Sequence, residues 1–96
     1  MKYKYINVEN LGFIIWPDSD HVWHKHIAQA CQMEEPHKII SAGFADIIGG
    51  TVRCYGKSES LGISSRPEDS HALAYMLGQR ENPHVIPQRL RDNLGL

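Results

Sequence analysis

A chain of 96 residues allows one compact domain and leaves little room for two independent hydrophobic cores. An apolar content of 42% excludes a wholly disordered chain. Ten Lys and Arg against eleven Asp and Glu, a formal charge of -1, exclude strong steering toward nucleic acid or anionic lipid by net charge.

Residues 2–8 alternate imperfectly, with Tyr3 and Tyr5 in one register and Ile6 and Val8 in the other. Asn10 and Gly12 then punctuate before Phe13, Ile14, Ile15 and Trp16. Aromatic and branched side chains pack well on a pleated surface, so the pattern predicts two short strands, with Gly12 permitting the reversal between them. Pro17 ends the second strand, and Asp18, Ser19 and Asp20 offer oxygens to the unpaired amides of a helix expected over 20–33. Its core stripe is Trp23, Ile27, Ala30 and Cys31; His26 falls beside that stripe, and His21 and His24 fall on the solvent side. Pro36 closes the segment.

Residues 39–48 are rich in branched side chains and interrupted by Gly43, which predicts a strand bent at that glycine. Gly49 and Gly50 supply the positive backbone angles of a two-residue hairpin, and Thr51 to Tyr55 resumes with strict alternation. Val52 and Cys54 are its expected inner face. A loop over 56–60 leads to a short strand at 61–64. Ser65 and Glu68 match a capping box before a helix expected over 66–77, with Leu73, Met76 and Leu77 buried and Gly78 left-handed at its end. Residues 1–78 are thus read as one domain, and 79–96, broken by Pro83 and Pro87, as an extension packed on it or partly mobile. The fold class expected is α+β, a small antiparallel sheet with two helices packed on one face, in the order β-β-α-β-β-β-α.

The start of the chain lacks the apolar run of a secretory signal. The apolar stretches Phe13 to Trp16 and Phe44 to Ile48 fall far short of the roughly 20 residues that cross a bilayer. Cys31 and Cys54, without extracellular markers, read as reduced thiols. The expectation is a cytoplasmic protein with no membrane partner and no cofactor.

Two clusters carry potential chemistry. The first runs from Gly56 to Arg66, where Lys57, Ser58, Ser60, Ser64, Ser65 and Arg66, with Arg53 from the preceding strand, place hydroxyls and cations at a helix entrance. Unpaired amides and the positive end of a helix favour a phosphate or carboxylate there. The plainer alternative is that Ser65 only caps the helix and the cations pair with Glu59, Glu68 or Asp69. No phosphate-loop or dinucleotide fingerprint accompanies the segment.

The second cluster, Asp18, Asp20, His21 and His24, holds residue types that ligate zinc or move protons, but its spacing matches no metal signature, so no metal is assigned. Cys54 in its inward register reads as a small buried hydrophobe, and no spacing ties it to a histidine. No catalytic residue is assigned.

Tyr3, Tyr5, Trp16 and Tyr55 form a candidate interaction surface, since aromatic side chains anchor interfaces at modest entropic cost. Two functions follow, both binding and neither requiring an enzyme. The first is a protein-interaction module, an adaptor or inhibitor acting as a homodimer. The alternative is a binder of a small anionic or phosphorylated ligand at the 56–66 segment; a small hydrolase or transferase assembled in three dimensions, and a nucleic-acid partner, stand behind both.

Overall fold

A computed structural model describes residues 2–18, 22–32 and 38–78. The elements are β1 (Lys2–Val8), β2 (Gly12–Pro17), α1 (His24–Gln32), β3 (Ile39–Ile48), β4 (Thr51–Tyr55), β5 (Lys57–Ser58), β6 (Ile63–Ser64) and α2 (Asp69–Leu77). Strands β1 to β4 form one sheet in the order β2-β1-β3-β4, and β5 and β6 form a separate hairpin. Every pairing is antiparallel. The α+β class stands, and the order differs from expectation only by one added short strand, Lys57–Ser58, where a loop was expected. No helix of the described residues is long and apolar enough to cross a membrane.

The Gly49–Gly50 turn forms as the sequence predicts. Both residues have positive φ, 55° and 82°, and Ile48 pairs with Thr51 across them. A turn of that hand matches the twist of the strands it joins. Val52 and Cys54 point inward as expected, toward Tyr5, Ala45 and Leu73.

Where the helices lie is the main correction to the sequence reading. They do not share a face. Ile6, Val8, Ile14, Trp16 and Ala42 pack with Ile27, Ala30 and Cys31 of α1, while Tyr3, Tyr5, Ile15 and Ala45 pack with Leu73 of α2. Neighbouring strand residues point to opposite faces, so β1 and β2 are apolar on both. Each face needs its own cover, and one helix lies on each. The β5–β6 hairpin joins α1 on its side through Leu61 and Ile63.

Three local expectations also change. Helix α1 begins at His24, so Trp23 stands before it and is 56% exposed, while His24 is 5% exposed and sits in the core that the helical wheel had assigned to Trp23. The capping box at α2 does not form: Glu68 makes no capping bond, and the Ser65 hydroxyl donates to the Gly56 carbonyl at 2.9 Å. Gly78 has φ -61°, a right-handed residue rather than the left-handed one predicted. Ser19, Asp20, His21, Pro36 and the 79–96 extension lie outside the described residues.

Gly43 is where β3 meets the start of β5. A Cβ there would fall 2.6 Å from the Tyr55 carbonyl oxygen and 3.3 Å from Ser65 Cβ. The missing side chain lets the Tyr55–Gly56 backbone cross over β3, and that crossing swings Lys57 toward α1.

Candidate functional site

On the α1 side of the sheet a cavity of about 660 Å³ opens between β1, β3, the start of α1 and β5. Its lining includes Lys2, Lys4, Trp23, His24, Phe44, Tyr55 and Lys57, with Glu59 and Ser60 at one side. Strand register explains the sheet contribution. Lys4 pairs with Phe44 and Phe44 with Tyr55, so these three side chains stand in one row on one face, with Lys2 two residues along.

The floor is aromatic. Phe44 and Tyr55 lie near-parallel with centroids 6.1 Å apart, and the His24 ring meets Phe44 edge-on at 5.5 Å and Trp16 at 5.6 Å. Cations cover this floor: Lys2 Nζ is 4.4 Å from the Phe44 centroid, and the Arg53 guanidinium 5.2 Å from that of Tyr55. Lys2 and Lys57 are about half exposed and their acidic partners, Asp18 and Glu59, stand at 3.8 and 3.9 Å. Pairs this long and this wet contribute little and exchange readily. Lys4 is different: only 14% of its side chain is exposed, and its ammonium donates to the Asp18 and Val22 carbonyls at 3.3 Å each. Together with Trp16 Nε1, which donates to Val22 at 2.9 Å, it holds the chain that enters α1.

His24 is the inner wall. Its Nε2 lies 2.8 Å from the Gly43 carbonyl. A carbonyl only accepts, so Nε2 carries the proton. Burial pushes the imidazole pKa below its ordinary value, with neighbouring Lys4 adding to the depression against the opposing pull of the Gly43 carbonyl and Asp18. A neutral ring with its proton on Nε2 has a bare lone pair on Nδ1. Nδ1 makes no hydrogen bond among the described residues, and it is not sealed from solvent: Ser41 Oγ is the buried side-chain atom that is both sealed and unpaired there. The ring that carries this lone pair is among the residues that line the cavity.

The 56–66 cluster does not assemble as one site. Lys57 and Ser60 reach the cavity, and Arg53 approaches it through Tyr55. Ser60 is also a tie, accepting from the Lys25 amide of α1 at 3.3 Å. Ser58 is fully buried and accepts from the Leu61 amide, Ser64 is exposed on β6, and Ser65 bonds Gly56. Arg66 is occupied on the opposite face: its amide and Nε lie 2.9 and 3.3 Å from the Asp69 carboxylate. The entrance to α2 does attract an anion, as the sequence suggests, but the anion is Asp69 of the chain itself.

That carboxylate is fully buried and also accepts from the Tyr5 hydroxyl at 2.6 Å. Burial alone would raise the Asp69 pKa, but the Tyr5 hydroxyl and the Arg66 amide hold it below its ordinary value. Ser41 stands close enough to favour the charged form without hydrogen-bond geometry. Burial, then the bond to Asp69, drive the Tyr5 phenol far upward, so it stays a donor. Beside them the Cys54 thiol is pushed up to about 11, first by burial and then by the Asp69 charge. A thiol held protonated is a poor nucleophile. Among the described residues, the histidine nearest in sequence to this cluster, His71, is exposed.

The candidate interaction surface also changes. Tyr3, Tyr5 and Trp16 are core residues, at 6%, 0% and 0% exposure, and of the set only Tyr55 reaches a concave surface. Neither cysteine is in a disulfide, and the sheet separates Cys31, under α1, from Cys54 on the other face. No three metal-ligating side chains converge among the described residues. Trp23, Phe44, Lys2 and Lys4 are the site residues that sequence reasoning missed, and His24, weighed there as a zinc ligand or proton carrier on the solvent side, is instead buried at the cavity. The one signal for them was Trp23, a large aromatic on a helix start rich in polar residues.

No protein-family model matches the chain, and neither a curated protein nor a solved structure does.

Proposed function

We propose that this domain binds a small aromatic anion in the cavity between β1, β3, β5 and the start of α1. The observation that supports it is the combination of an aromatic floor with lysine ammonium groups around it. Binding sites for small organic molecules are concave, largely apolar and furnished with a few polar groups that set orientation, and a volume of about 660 Å³ falls within their usual range. Among the described residues, three lysines against Glu59 and the nearby Asp18 leave the mouth positive, which disfavours a cationic ligand. Apolar rings recover contact area on Phe44, Tyr55 and Trp23, and a carboxylate or phosphate replaces the weak acidic partners of Lys2 and Lys57.

This is the anionic-ligand reading, moved from the α2 entrance to the neighbouring cavity. It is preferred to an interaction module because the aromatic set that motivated the latter is mostly core. We place the protein in a reducing compartment, where its two thiols persist. Titration of intrinsic tryptophan fluorescence with indole acetate and with its uncharged amide tests the proposal. The anion is expected to bind more tightly than the amide, to weaken in high salt, and to weaken several-fold in Lys2→Glu with Lys57→Glu, both exposed positions. Equal affinity for anion and amide, insensitive to salt, refutes it.

A further inference from the structure

We infer that the ligand donates a hydrogen bond to His24, so that the class taken by the cavity is an aromatic anion bearing an N–H or O–H group on its ring at the end away from the acid. This deepens the cavity reading and rests on it.

The geometry supplies two chemically different ends. The outer end carries Lys2 and Lys57, side chains about half exposed, whose acidic partners stand near 4 Å. The inner end is the His24 ring, packed edge-on between Trp16 and Phe44 and pinned through Nε2 to the Gly43 carbonyl. Pinning fixes the tautomer, and the tautomer fixes what Nδ1 accepts. A bare lone pair repels a carboxylate or phosphate oxygen and bonds only to a donor. An acidic group is therefore directed to the lysines, and a ring N–H or hydroxyl to the histidine. Between them the Phe44 and Tyr55 rings line the cavity and supply apolar contact for an aromatic body.

An acceptor that solvent reaches bonds to water until a ligand covers it. A ligand that displaces that water without replacing its bond loses affinity, and one that replaces it does not. Discrimination therefore comes from the penalty on ligands without a donor, and a buried acceptor left unpaired is costly enough for about a tenfold effect.

The test changes the ligand and leaves the protein intact, so folding is not at issue. Two matched pairs are titrated against the wild-type chain: indole acetate with benzofuran acetate, which exchanges N–H for oxygen at equal size, and para-hydroxyphenylacetate with para-fluorophenylacetate. The expected result is that at least one donor compound binds about tenfold more tightly than its partner, and that its binding moves the imidazole Nδ1 resonance of His24 as a new hydrogen bond does. Equal binding within both pairs, still dependent on Lys2 and Lys57, overturns the role of His24 and leaves the anion site standing. Failure of all four compounds to bind overturns the cavity reading and this inference with it. Tighter binding of a donor with no change at His24 places the donor elsewhere and also overturns the inference.

Discussion

Replacing Tyr5 with Phe removes one oxygen from the interior and leaves the ring in place, between Phe13 and the residues under α2. The lost hydroxyl donates to the Asp69 carboxylate at 2.6 Å, and neither residue has exposed surface. Hydrogen bonds to a charged group contribute about 1.5–3 kcal/mol, and among the described residues Asp69 keeps the Arg66 amide and Nε as donors, so a loss of about 2 kcal/mol is expected at pH 7. For a domain of this size, with a urea dependence of about 1 kcal/mol per molar, the unfolding midpoint falls by about 2 M. The effect depends on pH with a definite sign. Asp69 has a folded-state pKa below its ordinary value, so its contribution is full above the carboxylate range and is lost as pH falls through the depressed folded value. The gap between wild type and variant should therefore be widest near neutrality and narrow to about 1 kcal/mol, the worth of a neutral hydrogen bond, once Asp69 takes up a proton. On an Asp69→Asn background the same Tyr5 substitution should cost about half as much. Urea titrations followed by circular dichroism across this pH range measure both quantities. A gap under about 0.5 kcal/mol, or one that stays constant as the solution is acidified, would refute the assignment of Asp69 as a buried charge held by Tyr5.

Other residues give equally direct outcomes. His24 is neutral in the fold and has a depressed pKa, so stability should be complete above its unfolded value of 6.5 and fall as pH drops below it; the slope cannot exceed about 1.4 kcal/mol per pH unit, and subtracting the His24→Gln curve isolates it. Gly43→Ala forces a Cβ against the Tyr55 carbonyl oxygen and should cost about 2–3 kcal/mol, whereas Gly50→Ala, with open space around it, should cost only the strain of its positive φ, about 1 kcal/mol; thermal melts of the two rank them. Cys54, its thiol raised from 9.0 to about 11, should react with iodoacetamide near neutral pH roughly a hundredfold more slowly than an ordinary thiol in the same peptide unfolded, and peptide-resolved mass spectrometry reports the ratio.

Local rules were enough for every feature set by neighbours in the chain. The Gly49–Gly50 hairpin, the reversal at Gly12, the inward register of Val52 and Cys54, and the stripe of Ile27, Ala30 and Cys31 each follow from backbone freedom or side-chain period. The imperfect alternation of β1 also held the information that both its faces are buried, since Tyr3 and Tyr5 on one side and Ile6 and Val8 on the other are all apolar. It does not say which helix covers which side.

Tertiary structure decided that, and the site with it. Because α1 begins at His24 and not near residue 20, Trp23 stands outside the helix and exposed while His24 is buried. Lys4, Phe44 and Tyr55 are remote in the chain and meet only because antiparallel register aligns them across three strands. The α2 entrance looked open to a ligand because an anion at Arg66 is all that local chemistry specifies; Asp69 fills the place once the backbone turns. Sequence determines which groups want partners, and packing chooses the partner, because wanting is local and distance is not.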